Sequence, residues 1–472
     1  MASRAPVGGI VARYTQVVEE VARSAYEEEQ SRRPRVTLQH YLPQPAAWVP
    51  QLPAWDSIKE NPGYNHWFMD AEDRLCGYPL HPKVQRFFDD FVGKYGHSSI
   101  MELTGSPAVY TEGISWFTAW QLFDSPLCSG QEFSTRAVQH KDWPMARECR
   151  YSELEALHND WFEVFEAEVA WWKNHLSDEE NRLALGIGDK EPFRPALDRA
   201  RWALPGTIAT GCAHTTSLRE RARVLQDGKH LALASLASAA TDVWDEITET
   251  YRQALPGLAG MGLREAVYST DTLIPGHMRT VLSSAEEGPD VEIHPVGTRD
   301  VTDVPMFKRT RERSYLDVAA NTAYRVNVGF RCSLAVARDW HRHRTLFPWY
   351  LQVVRAQHLT SAPGPIQIDH HYQPMSDLAK AKTPELLERS TRMFDSLMAN
   401  QNRVQAALAL PLGTRVRMTG QGGLRDVVYM LELRKNAAGA NFEYKEQATT
   451  GLELLHAAQV DPDGRFGWTR RR

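Results

Sequence analysis

Asp339-Trp340-His341-Arg342-His343-Arg344-Thr345-Leu346-Phe347-Pro348 decides how this chain is read, because it answers a second stretch far upstream. That stretch runs Gln121-Leu122-Phe123-Asp124-Ser125-Pro126-Leu127-Cys128-Ser129-Gly130-Gln131-Glu132-Phe133-Ser134-Thr135-Arg136. The later one keeps a compact cationic run and lacks an anion-wrapping tail. The earlier one keeps Glu132, Ser134 and Arg136 and has Asp124-Ser125-Pro126 where the cations would stand. The two look like complementary remains of one motif, and they predict a single site shared between two copies of one fold.

The chemistry of each half supports that reading. Ser134 offers a hydroxyl, and Arg136 supplies a planar fork that suits phosphate. Glu132 is placed to accept from a sugar hydroxyl or to orient an arginine. Arg201, four residues before Pro205, is a second candidate cation. Taken alone the segment reads as a capped turn carrying a surface arginine. On a helix Arg342 and Arg344 diverge, whereas an extended or turning backbone lets both reach one anion. Alone, that run reads as a solvated basic face. Arg434 ends an amphipathic segment, where a cation suits the helix dipole.

Outward from these segments the chain repeats its order. Tyr151 to His175 carries Leu154, Leu157, Trp161, Phe165, Val169 and Trp172 at helical spacing. A charged insertion, Ser177 to Arg194, interrupts it, and helix resumes near Ala196 until Leu204-Pro205-Gly206. Leu218 to Leu255 reads as mostly helical. In the back half Tyr324 to Phe330 alternates like a strand, and Thr383 to Leu408 is helical up to Leu410-Pro411. Leu218-Arg219 stands as far beyond Pro205 as Leu424-Arg425 stands beyond Pro411. That collinearity argues for an internal duplication. Four regions are expected: an N-terminal helix (Val11 to Gln30) and Pro-rich connector over 1–81, a first domain over 82–282, a linker over 283–305 and a second domain over 306–472.

Composition narrows the classes. The chain has 472 residues, 42% hydrophobic and 24% charged, with a formal net charge of −5. That is ordinary for a soluble protein and gives no global basic field, so nucleic acid is an unexpected partner. Five cysteines without a C-x-x-C pair predict a reducing, cytoplasmic setting. No apolar run reaches the length of a membrane span. Cys128 reads as a small packed residue rather than a nucleophile. Asp369-His370-His371 resembles part of a metal cluster, but no spaced carboxylates surround it in sequence, so no metal is expected.

Together these residues resemble the flavin-dependent thymidylate synthase family, whose hallmark is Arg-His-Arg followed closely by Glu-x-Ser-x-Arg. Gly96-His97-Ser98-Ser99-Ile100-Met101-Glu102 resembles the upstream segment that helps hold FAD in that family. In the back half the positions of Glu, Ser and Arg are Tyr350, Gln352 and Val354. Asp339 stands where the family has Gln, and Gly228 where the front copy would need the counterpart of Arg434. The resemblance covers roughly Pro82 to Leu255 and Arg311 to Leu455.

The resemblance implies an α+β fold of two homologous domains, each a mixed sheet packed with long helices, and a homodimer of two-domain chains. It implies C5-methylation of a uracil nucleotide, dUMP or a related pyrimidine monophosphate, with FAD as cofactor and NADPH and methylenetetrahydrofolate as co-substrates. Arg342, Arg434 and His343 would be the catalytic residues. Glu132, Ser134, Thr135, Arg136 and Arg201 would hold the nucleotide, and His97, Ser99, Glu102, Arg344 and Arg425 the flavin. The alternatives are a hydroxymethylase of specialised metabolism, a catalytically retired binding or assembly protein of the same fold, or, more weakly, an RNA binder.

Overall fold

The structure, a computed structural model, describes residues 35–40, 108–132, 135, 144–146, 148–149, 151–188, 193–217, 219–225, 244–245, 248, 289–296, 325–346, 349–352, 366–400, 402–436 and 441–457. The expected helix over 11–30, the Pro-rich connector, and His97, Ser99, Glu102, Ser134 and Arg136 lie outside these residues.

The first sheet contains β1 (Arg35–His40), β2 (Ala108–Ser115), β3 (Ser129–Glu132) and β4 (Ala209–Thr215). Between them lie α1 (Trp116–Phe123), α2 (Ser152–Ser177), α3 (Glu179–Ala184), α4 (Phe193–Ala200) and a 3-10 turn, Arg201–Ala203. The second sheet contains β5 (Val291–Val296), β6 (Arg325–Ser333), β7 (Trp349–Leu351) and β8 (Arg415–Gly423), with α5 (Leu334–His341), α6 (Asp377–Ala399) and α7 (Arg403–Leu408) between strands. The chain then runs through α8 (Leu424–Asn436) and α9 (Phe442–Ala457). The strand orders are β1-β2-β4-β3 and β5-β6-β8-β7. The order is thus the same in both sheets, and in both the second strand leads directly into an eight-residue helix.

All six described strand pairings are antiparallel, so the expected mixed sheet is an antiparallel one. The long helical excursion between β2 and β4 returns the chain in the opposite direction, which removes the need for a parallel crossover. Two segments differ from their expected roles. Residues 291–296, inside the stretch read as a linker, form β5 against β6. That strand includes Pro295, which an edge strand tolerates because one row of its amides needs no ladder partner. Residues 35–40, inside the region read as helix and connector, pair with β2 in the same way.

The helices follow their apolar spacing. In α2, Leu154, Leu157, Trp161, Val164, Phe165 and Trp172 face the core. Helix α6 begins six residues earlier than its periodicity suggested. Ser376 caps it by accepting from Ala379 N at 3.2 Å, and Glu168 of α2 accepts from Met375 N and Ser376 N at 2.8 and 2.7 Å. The single expected helix is split at Asn400, leaving α7 as a separate piece. No helix of the described residues is long and apolar enough to cross a membrane.

One hydrophobic core runs through both halves. They meet where Pro205 bridges Pro411. There Leu412 N donates to Leu204 O at 2.9 Å and Gly413 N to Trp202 O at 2.7 Å. The approach is too close for side chains: a Cβ on Gly206 would lie 2.2 Å from Leu410 O, and one on Gly413 2.6 Å from Trp202 Cβ. Trp161 Nε1 also donates across the junction to Ser390 Oγ at 3.0 Å.

Candidate functional site

Two short helices deliver the site, and each begins in the same way. Ser115 caps α1 by accepting from Thr118 N at 3.1 Å, while Glu148 accepts from Ser115 N at 3.1 Å and from its hydroxyl at 2.7 Å. Ser333 caps α5 by accepting from Val336 N at 3.2 Å, and Glu443 accepts from Ser333 N and hydroxyl, both at 2.7 Å. A carboxylate aimed at a helix N-terminus suits the dipole and fixes the helix in place. The C-terminal ends of α1 and α5 then present Asp124-Ser125-Pro126 and Arg342-His343-Arg344. Every residue of both helices is buried.

These ends face each other. Trp120 stacks on His341, with ring centroids 3.7 Å apart and planes 17° from parallel. Asp124 Oδ1 lies 3.7 Å from His341 Nε2. Arg344 crosses to the front half, where Nη2 donates to Gly130 O at 3.3 Å and the guanidinium covers the Phe123 ring at 5.3 Å. Arg338 forms an ion pair with Glu132. Trp116, Trp120, Phe123, Gly130, Glu132, Arg338, His341, Arg342 and Arg344 line one cleft. Three guanidinium groups over an aromatic floor suit a flat ligand that carries negative charge.

Behind the cleft wall lies a second layer. Arg201, on the turn after α4, is wholly buried and pairs with Asp339 Oδ2 at 2.9 Å, with Asp198 Oδ1 at 3.7 Å from its Nε. It stands outside the cleft lining. Asp339 Oδ1 in turn lies 3.8 Å from Arg342 Nη1. The departure from Gln at position 339 thus gives a buried carboxylate two arginines to neutralise, one from each half. Arg434 Nε donates to His343 Nε2 at 2.8 Å, and its guanidinium lies 5.0 Å from the Tyr444 ring centre. Burial and the adjoining Arg434 cation push the His343 pKa down to about 3, so the ring is neutral and its Nε2 is an acceptor. Burial also lowers His341, against the pull of Asp124.

Of the expected nucleotide residues, Glu132 lines the cleft, Thr135 is buried and Arg201 supports the wall. Of the expected flavin residues, Arg344 lines the cleft and Arg425 is half-buried in the first turn of α8. Arg344 and the three aromatic rings beside it fit a planar anionic cofactor. Cys128 is buried, and burial raises its thiol pKa, which suits packing and not nucleophilic attack.

The sequence reading missed Arg338, Trp116, Trp120 and His341. Arg338 had a signal, standing one helical turn before Arg342 on the same face. The Trp120–His341 stack had none, since its members come from different halves.

The fold and cleft define an α+β protein with an arginine-walled, aromatic-floored site at the meeting of two similar sheets. The family model described as thymidylate synthase complementing protein matches residues 319–462. The resemblance to the flavin-dependent thymidylate synthases holds over that segment, which carries Arg342-His343-Arg344 and Arg434. No curated protein matches the chain.

Proposed function

We propose that the chain is a flavin-dependent methyltransferase acting at C5 of a uracil nucleotide, in a composite site between two halves that arose by duplication. The observation that carries this reading is the meeting of Arg338 and Arg344 with Glu132 and Gly130. It joins the cationic remnant of one half to the phosphate-type remnant of the other. The family matched over residues 319–462 supports thymidylate synthase-like chemistry in general.

In this reading Ser134, Arg136 and Glu132 take the phosphate and sugar, and Thr135 shapes that turn. Arg342 and Arg434 direct positive charge at the pyrimidine ring, where negative charge develops as C5 becomes nucleophilic. His343 is a positioning residue: its neutral Nε2 holds Arg434 Nε and fixes the angle of that guanidinium. Arg201 acts through Asp339, which restrains Arg342. His97, Ser99, Glu102, Arg344 and Arg425 would hold FAD. When bound, the flavin supplies the hydride, drawn from NADPH, that converts a carbon from methylenetetrahydrofolate into a methyl group. Aromatic walls exclude water from the reacting face. The active unit is a dimer of such chains in the cytoplasm.

The test uses the full chain with FAD. The purified protein should take up flavin, and tritium should leave C5 of labelled dUMP or UMP only when methylenetetrahydrofolate and NADPH are present. Arg342→Ala should slow release by about 10²-fold, in line with the loss of one transition-state donor. A protein that binds neither flavin nor pyrimidine monophosphate would overturn the proposal. Release without methyl transfer, with a hydroxymethyl product, would replace it with the hydroxymethylase reading.

A further inference from the structure

Asp369-His370-His371 lacks neighbouring carboxylates in sequence, yet the fold brings three to it. The triplet lies on the segment that precedes α6. Asp290, just before β5, places Oδ2 3.4 Å from His370 Nε2. Glu446, from the second turn of α9, places Oε2 3.5 Å from His371 Nε2. Glu443, the cap of α5, is close enough to feel the charges of both Asp369 and His371. One ligand atom from each of Asp369, His370 and His371 lies within 4.8 Å of the others.

Two observations point to a bound cation. The first is unmet valence. Asp369 is wholly buried and its Oδ2 has no hydrogen-bond partner; the His371 side chain is 6% exposed and its Nε2 has no hydrogen-bond partner. The other ends of these groups are engaged, since His371 Nδ1 lies 2.5 Å from Asp369 Oδ1. A carboxylate on one imidazole nitrogen is the usual device for orienting the other nitrogen toward a metal. The second is charge. Three carboxylates, from Asp290, Asp369 and Glu446, crowd the two imidazoles, and the guanidinium of Arg415 stands beside two of them. It pairs with Asp290 and stands 3.8 Å from Asp369 Oδ2. The backbone around the triplet is already fixed: Asp369 N donates to Gly413 O and Tyr372 N to Asp369 O, both at 2.9 Å.

We propose that His370 and His371, with Asp290 and Glu446 beside their Nε2 atoms and Asp369 orienting the imidazoles from the Nδ1 side, form a binding site for one divalent transition-metal ion. Two imidazoles with carboxylate oxygens are a donor set that suits Zn²⁺ and its first-row neighbours. The ligands come from the segment before α6 and from α9, and Asp290 ties in β5. Glu443, one turn from Glu446, also caps the helix that carries the cationic run. The ion is therefore a structural clip that fastens α9 and the α6 approach behind the cleft, separate from the cleft itself.

The test uses the full chain, treated with a chelator and then titrated with Zn²⁺ or Co²⁺. One equivalent per chain should remain after gel filtration, Co²⁺ should give a ligand-field visible spectrum, and Zn²⁺ should raise the melting temperature. His371→Ala should weaken Zn²⁺ binding by more than tenfold. His370→Ala, at a half-exposed position, should do the same while leaving the metal-free melting temperature unchanged, which separates ligand loss from misfolding. His294→Ala, at an exposed histidine of β5, should change nothing. Stoichiometric binding that survives both substitutions, or no retained metal in the parent chain, would overturn the site.

Discussion

Removing the carboxylate of Asp339 tests the joint between the two halves most sharply. Asp339→Asn leaves Arg201 with no exposed surface, with its 2.9 Å ion pair gone and Asp198, 3.7 Å away, as the remaining carboxylate beside it. Leaving one member of a buried pair behind costs about 3–5 kcal/mol. For a large cooperative unit each kcal/mol lowers the melting temperature by about 2 °C, so the expected drop is roughly 6–10 °C. Arg201→Met should cost a similar amount by stranding Asp339, although Arg342 at 3.8 Å tempers it. The double variant Arg201→Met/Asp339→Asn removes both charges and should recover about half or more of the loss, because the pair couples directly. The assay is a double-mutant cycle by thermal denaturation, run beside nucleotide KM. If Arg201 acts by holding Asp339, the double variant regains much of its nucleotide binding along with its stability. The reasoning fails if the two losses are additive, or if stability returns while nucleotide binding stays lost. The latter result would make Arg201 a direct phosphate ligand.

His158 gives a pH prediction. It is buried against Thr207, its Nδ1 2.9 Å from the Thr207 hydroxyl oxygen, and burial lowers its pKa from 6.5 to about 4. A depressed histidine pKa means the unfolded chain binds the proton more readily. Its contribution is therefore intact above pH 6.5 and is lost as pH falls from 6.5 toward 4, about 3 kcal/mol in all. His158→Phe should flatten denaturation-versus-pH curves in that window, and an unchanged slope would refute the assignment. Gly420→Ala should cost about 1–3 kcal/mol by overpacking, since its Cβ would lie 2.5 Å from the Trp349 ring; thermal melts check this. Because Trp349 Nε1 donates to His343 O at 3.0 Å, the same change should also lower turnover. Trp120→Ala should remove the cover of His341 and cost about 3–5 kcal/mol, and a neutral melting temperature would deny that the stack joins the halves.

Much of the local structure was legible. The apolar spacing of α2 and the proline stops at Pro205 and Pro411 reflect forces between residues near in sequence, and the structure follows them closely. The start of α6 was not legible, because Glu168 supplies acceptors from a helix on the other half. The strand character of 291–296 was hidden in a polar stretch read as a linker, and pairing with β6 decides it. In the site, Arg342-His343-Arg344 and Glu132 were marked by their types and spacing. The burial of Arg201 was not, since nothing in an arginine's neighbours along the chain says that it will face Asp339. The Asp369 triplet was set aside for want of carboxylates that only folding supplies.

The sequence by itself determined the long helices, the two incomplete motifs and the family resemblance of the back segment, because side-chain type and periodicity act over a few residues. Tertiary structure alone decided which charges meet. It set Arg338 on Glu132, Arg201 on Asp339, and Asp290 and Glu446 beside two histidines. Coulomb and desolvation energies depend on separation through space and on exclusion of water, and neither quantity exists until the halves close on a common core.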